Sequence, residues 1–140
     1  MKAPLRCLPA VLDRIDADLD QSLERLFAFL RIPSISTDPA YAAHCRAAAE
    51  HLAQDLASIG LAAEVRPTAG HPIVIGKGAN GGGPSVLFYG HYDVQPVDPL
   101  ELWDTPPFEP RIETIDGGRK VIRGRGACDD KGQLMTFVEA

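Results

Sequence analysis

Apolar positions along the chain change their spacing several times, and each change marks a new element. Leu19, Leu23, Leu26, Phe27 and Leu30 recur every three or four residues, which predicts an amphipathic helix that ends before Pro33. Asp13, Asp16, Asp18 and Asp20 load its N-terminal half, where the helix dipole favours negative charge. Residues 32–37 read as a turn-rich link. A second helix is predicted from Asp38 as N-cap and Pro39 at the first helical position. Its apolar stripe is Cys45, Ala48, Ala49, Leu52, Leu56 and Ile59, with Gly60 suited to the C-terminal cap. After Gly60 the spacing shortens, and residues 61–66 and 73–75 are strand candidates. Residues 76–84 hold six glycines or prolines and read as a turn or loop. The unbroken run Val86-Leu87-Phe88-Tyr89 predicts a buried strand. Residues 96–110 carry five prolines and predict an irregular excursion. Residues 111–115 and 120–123, joined by Asp116-Gly117-Gly118-Arg119, read as a hairpin, and residues 131–140 as a helix. No internal repeat is present. This order of helices and strands predicts an α/β fold, a mixed central sheet flanked by helices.

A chain of 140 residues forms one domain or most of one. Its net charge of −5 argues against nucleic acid or an anionic membrane surface as a general partner. Cys7, Cys45 and Cys128 are widely spaced, odd in number and form no CxxC, so they read as reduced thiols. Residues 1–9 contain no apolar core of signal length, and no run approaches the ~20 apolar residues of a membrane helix. A cytoplasmic protein with no membrane partner is expected.

Candidate chemistry gathers between Val86 and Gly132. The apolar run ends in Gly90-His91-Tyr92-Asp93, and residues i and i+2 of an extended segment point the same way. Asp93 can therefore accept a hydrogen bond from one ring nitrogen of His91 and leave the other for a metal. A capping His–Asp pair at a strand end is the alternative. Asp129 and Asp130 follow among Gly124, Gly126 and Gly132; adjacent carboxylates repel unless a cation or donors compensate. One of them could instead cap the helix that starts near Lys131. Cys128 is expected to be a small buried packing residue. His44 and His51 share one helix face and are expected at the surface, and His71 is expected to have a local role beside Pro72. Trp103 and Phe108 are expected to pin the proline-rich excursion. The glycine-rich loop lacks the Lys-Ser/Thr ending of a phosphate cradle.

Taken together, Gly90-His91-Tyr92-Asp93-Val94-Gln95-Pro96, Trp103-Asp104-Thr105-Pro106-Pro107-Phe108 and Gly124-Arg125-Gly126-Ala127-Cys128-Asp129-Asp130-Lys131-Gly132 resemble the co-catalytic zinc peptidase family. That family contains carnosinase-type dipeptidases, aminoacylase, carboxypeptidase G and succinyl-diaminopimelate desuccinylase. The segments Leu30-Arg31-Ile32-Pro33-Ser34-Ile35-Ser36 and His71-Pro72-Ile73-Val74 also fit. The resemblance implies that His91 is a ligand of one zinc, that Asp129 bridges two zincs, and that Asp93 is the active-site carboxylate orienting His91. It implies a cis Asp129–Asp130 peptide, with Asp130 at a variable position. The implied protein hydrolyses peptide-type bonds, as a dipeptidase with two zincs and a dipeptide or small amide substrate, and is a homodimer. A deacylase or desuccinylase of the same architecture, or a non-catalytic fragment, is the alternative. The family's Glu-Glu pair, its later Asp and His ligands and its inserted lid find no counterpart here. Residues 1–140 are thus expected to be the N-terminal portion of the catalytic domain, without the lid and dimerisation domain or the C-terminal half, and inactive alone.

Overall fold

The computed structural model describes residues 8–79 and 82–140. Cys7, and Asn80 and Gly81 of the glycine-rich loop, lie outside the described residues. Three helices, α1 (Leu8–Leu30), α2 (Ala42–Ser58) and α3 (Lys131–Glu139), pack around one apolar core. Four strands complete the fold: β1 (Ala62–Arg66), β2 (Ile73–Lys77), β3 (Arg111–Ile115) and β4 (Arg119–Arg123). They form two separate antiparallel ribbons, β1–β2 and β3–β4, with Val65 opposite Val74 and Glu113 opposite Val121. The α/β class read from the sequence stands, but among the described residues the strands pair only as these two antiparallel ribbons, without the mixed central sheet.

The helical stripes bury what their spacing predicts where another element faces them. Leu26 and Leu30 of the α1 stripe and Cys45, Ala48, Ala49, Leu52 and Leu56 of the α2 stripe are buried; Phe29, off the α1 stripe, and Leu134, Met135 and Val138 of α3 are buried as well. α1 starts earlier than its stripe suggested, and Leu8, Val11, Leu12, Ile15 and Leu19 on its N-terminal half are about half exposed. Only the C-terminal half of the stripe meets the core. Asp38 caps a short turn, Pro39–Tyr41, by accepting from the Ala40 amide at 2.9 Å, and α2 proper begins at Ala42. Ile59, expected on the buried stripe, is exposed because the helix has already ended.

The run at 86–89 is where the structure differs most from the pattern. It forms no strand, and Val86, Leu87 and Tyr89 are 90%, 94% and 83% exposed. A strand that is apolar on both faces needs neighbours on both edges and both faces. Among the described residues no strand pairs with it; only Phe88 finds a partner, stacking on Phe137 of α3 at 3.9 Å between ring centroids.

A charged side chain sits inside the core. Lys131 is fully buried, and its Nζ donates to the Phe29 carbonyl at 2.9 Å and the Ile32 carbonyl at 2.7 Å, 4.7 Å from the Phe29 ring centroid. Each carbonyl also accepts a backbone amide, Phe29 from Ile32 at 3.2 Å and Ile32 from Ser34 at 2.9 Å, and the ammonium takes the second acceptor position on both. Burial pushes the Lys131 pKa down to about 7, while the two carbonyls and the ring face favour the charged form. At the far end of α3, Glu139 accepts from Arg25 Nε at 2.6 Å and Ser22 Oγ at 2.7 Å, which clamps α3 to α1. His51 is half-buried rather than at the surface, because it stacks on Phe29 at 5.4 Å.

Phe29→Ala is expected to destabilise the protein by about 3–5 kcal/mol, since it opens a cavity and removes the ring facing Lys131; urea unfolding followed by circular dichroism measures this. The hydrogen bonds from Arg25 hold the Glu139 carboxyl below its ordinary value of 4.5. A carboxyl whose folded pKa is depressed stabilises the fold above its unfolded pKa and loses that contribution as pH falls through the folded one. Unfolding midpoints should therefore drop as pH falls below about 4.5, and Glu139→Gln should flatten that acid limb.

Candidate metal centre

Two segments far apart in sequence meet at His91. The first is an extended stretch held to the end of α1. Ile35 and Val94 form a parallel bridge, the Val94 amide donates to the Ser34 carbonyl at 2.9 Å, and Ser34 Oγ donates to the Tyr92 carbonyl at 2.7 Å. Ser34 is fully buried, so both of its bonds form away from water and hold the register of residues 91–94 firmly. The second segment is the tight loop at 124–130 that leads into α3. Gly126 has φ +83°, and a Cβ there would stand 2.7 Å from Val94 Cγ1. A Cβ on Gly132 would collide with the Ala127 carbonyl oxygen. Only glycine permits this path, and the path brings Asp129 to the imidazole.

His91 lies between two carboxylates. Its Nδ1 is 2.9 Å from Asp93 Oδ1 and its Nε2 is 3.0 Å from Asp129 Oδ1, across 38 positions of sequence. Burial lowers the His91 pKa, but hydrogen bonds to Asp129 and Asp93 outweigh it and leave the imidazole above its ordinary value. Asp130 does not cap α3 with its side chain; its Oδ2 accepts from the His91 backbone amide at 3.1 Å. The Asp129–Asp130 peptide is cis. Asp129 is thus left facing outward, its side chain 77% exposed, with His91 Nε2 as its neighbour.

This donor set fits a divalent cation. An imidazole nitrogen and a carboxylate oxygen are ordinary ligands of zinc, and a carboxylate on the far ring nitrogen fixes the tautomer. With metal–ligand bonds of about 2.0–2.1 Å, two ligands of one tetrahedral ion stand roughly 3.3 Å apart, close to the 3.0 Å between His91 Nε2 and Asp129 Oδ1. Among the described residues no group of three or more His, Cys, Asp or Glu converges to hold an ion.

Around this point the other candidates take their places. Trp103 Nε1 donates to the Val97 carbonyl at 2.9 Å and Arg125 lies over its ring at 5.0 Å, which pins the excursion as expected. The Cys128 expectation fails: the thiol is exposed, because the loop turns it outward beside Asp129. His71 has more than a local role, since its Nε2 donates to the Ser36 carbonyl at 2.8 Å. Ser34, Ser36 and Lys131 lie in segments that the family resemblance includes, and their site-supporting contacts come from long-range packing.

Residues 87–140 match the family profile described as Peptidase family M20/M25/M40. The Cys-Gly metallodipeptidase DUG1 of Saccharomyces cerevisiae is 30% identical over 145 residues, which cover 94% of this chain and 30% of that enzyme. Over most of its length the chain is similar to part of an M20-type peptidase domain. Human carnosine dipeptidase 1 shares the M20-type fold at a TM-score of 0.81 and 26% identity, over 95% of this chain and 30% of the human one. A succinyl-diaminopimelate desuccinylase of Aromatoleum aromaticum is 48% identical over 60 residues, 43% of this chain and 14% of that protein. The M20 portion seen here therefore spans less than a third of the length of these relatives.

Gly132→Ala should lower the unfolding midpoint by more than about 1 kcal/mol of stability, because the loop must shift to admit the methyl group; thermal melts of the two proteins compare them directly.

Proposed function

We propose that the protein is a metal-dependent hydrolase of peptide-type bonds, and specifically a dipeptidase that uses two zinc ions. The observation that carries this reading is the His91–Asp129 pair, 3.0 Å apart and buttressed by Asp93 at 2.9 Å, in a chain with M20-family relatives. His91 and Asp129 are the proposed metal ligands, with Asp129 as the bridge, and Asp93 is the proposed active-site carboxylate. When bound, zinc supplies Lewis acidity toward the scissile carbonyl and acidifies a water molecule. Asp93 holds the proton of His91 Nδ1, which keeps Nε2 as the donor atom and raises its basicity. Asp130 holds the His91 backbone amide, so that the imidazole enters the site from a fixed main chain. Asp129, turned outward by the loop, presents a carboxylate with two oxygens.

Residues 1–140 form the N-terminal portion of the catalytic domain in this reading. The lid and dimerisation domain, the remaining ligands and the general base come from elsewhere in the complete protein, which works as a homodimer in the cytoplasm. Dipeptides are favoured as substrates by the resemblance to enzymes named for Cys-Gly and carnosine. Removal of an acyl group from an amino acid is the second reading, favoured by the local similarity to a desuccinylase. The net charge of −5 supports the absence of nucleic acid as a partner. No helix among the described residues is long and apolar enough to cross a membrane.

Assays of the complete protein on a dipeptide panel containing Cys-Gly and carnosine, beside succinylated amino acids, test the reading. Dipeptide turnover is expected, and turnover of the acylated substrates alone would transfer the assignment to the deacylase branch. His91→Ala is expected to lower turnover more than about 100-fold, since partners outside the ligand set are themselves worth 10–100-fold. A polypeptide of residues 1–140 alone is expected to hydrolyse none of the panel with zinc added, because His91 and Asp129 fall short of the four ligands of a tetrahedral ion.

A further inference from the structure

Behind His91 a line of hydrogen bonds leads away from the candidate cation position into the link that follows α1. Asp93 Oδ1 faces His91 Nδ1, and Asp93 Oδ2 accepts from Ser36 Oγ at 2.5 Å, 57 positions away in sequence. The Ser36 carbonyl in turn accepts from His71 Nε2 at 2.8 Å, and the Tyr92 hydroxyl donates to the Pro72 carbonyl at 2.5 Å. The Ile35–Val94 bridge and the turn at 71–72 each tie the Ser36 side of this contact to the Asp93 side.

Asp93 needs such a partner. Its side chain is 40% exposed, and the bond to a neighbouring imidazole two residues away leaves the second oxygen free to draw the carboxylate round towards water. A hydroxyl on that second oxygen closes the alternative. A hydrogen bond to a charged acceptor is stronger than one to a neutral group and favours this rotamer over those turned to solvent.

We propose that Ser36 is a positioning residue of the metal centre: its hydroxyl locks the Asp93 carboxylate so that Oδ1 meets His91 Nδ1 and Nε2 is aimed at the cation shared with Asp129. This rests on the metal-dependent reading above. Ser36 touches neither metal nor substrate and acts only through Asp93. The Ser34–Ile35–Ser36 link, with its turn-like composition, is therefore part of the site's scaffold.

The test is zinc affinity of the complete protein, measured by competition with a chromophoric chelator, with thermal melts alongside. Ser36→Ala is expected to weaken zinc binding about tenfold, at the low end of what ligand-supporting partners contribute, with an unchanged melting temperature. Ser36→Cys, similar in shape but a weak donor, should show the same loss, and Ser36→Thr, which keeps the hydroxyl, should bind as the parent does. In an Asp93→Ala background Ser36→Ala should have no further effect, because its only route to the metal is gone. Parental affinity in both Ser36→Ala and Ser36→Cys overturns the inference. So does an equal loss with and without Asp93. Should His91→Ala bind zinc as tightly as the parent, the metal reading itself falls, an outcome distinct from either of these.

Discussion

The C-terminal end of α1 and the few residues after it are the fixed point to which both halves of the site are fastened. The Phe29 and Ile32 carbonyls receive the Lys131 ammonium, which sets the start of α3 and with it the loop carrying Asp129 and Asp130. Two residues further on, the Ser34 carbonyl receives the Val94 amide, and Ser34 Oγ reaches the Tyr92 carbonyl, which sets the stretch carrying His91 and Asp93. Two segments separated by 38 positions are thus held on a shared anchor, and the His91 contacts to Asp129 and Asp130 join them directly. A disturbance of the Phe29–Ser36 region would move them independently.

The choice of Lys131 for this anchor is instructive. Taking an ammonium out of water costs several kcal/mol, and an apolar residue at that place would avoid the cost but lose both hydrogen bonds that tie the start of α3 to the Phe29 and Ile32 carbonyls. The lysine offsets its desolvation with two short hydrogen bonds and an aromatic face. It also fixes the direction of the helix, which an apolar contact cannot do. Close by, three carboxylates, Asp93, Asp129 and Asp130, surround one imidazole and its amide.

The parts of this structure that the sequence made legible are those set by local rules. Helical spacing located α2 and the buried end of α1, the Asp116-Gly117-Gly118-Arg119 turn located the β3–β4 hairpin, and His91, Asp93 and Asp129 stood out by residue type and their glycine context. What remained hidden depends on long-range contact. Nothing in Pro33-Ser34-Ile35-Ser36 distinguishes a scaffold from an ordinary turn until Tyr92–Val94 lies against it. The burial of Lys131 had no signal in the sequence, since lysines are almost always exposed. Cys128 looked buried for the converse reason. The run at 86–89 was misjudged because its apolar character reports what the segment is suited to contact, whereas burial requires that the contact be present.

That run has a practical consequence. Val86-Leu87-Phe88-Tyr89 combines high strand propensity with no charge and no proline, and its main-chain donors and acceptors have no ladder partner among the described residues. Such a segment templates the addition of like segments from other molecules. A polypeptide that leaves it bare is an aggregation hazard, with inclusion bodies and fibrillar deposits as its natural fate in concentrated solution, and a charged residue in place of Leu87 is the simplest gatekeeper against them.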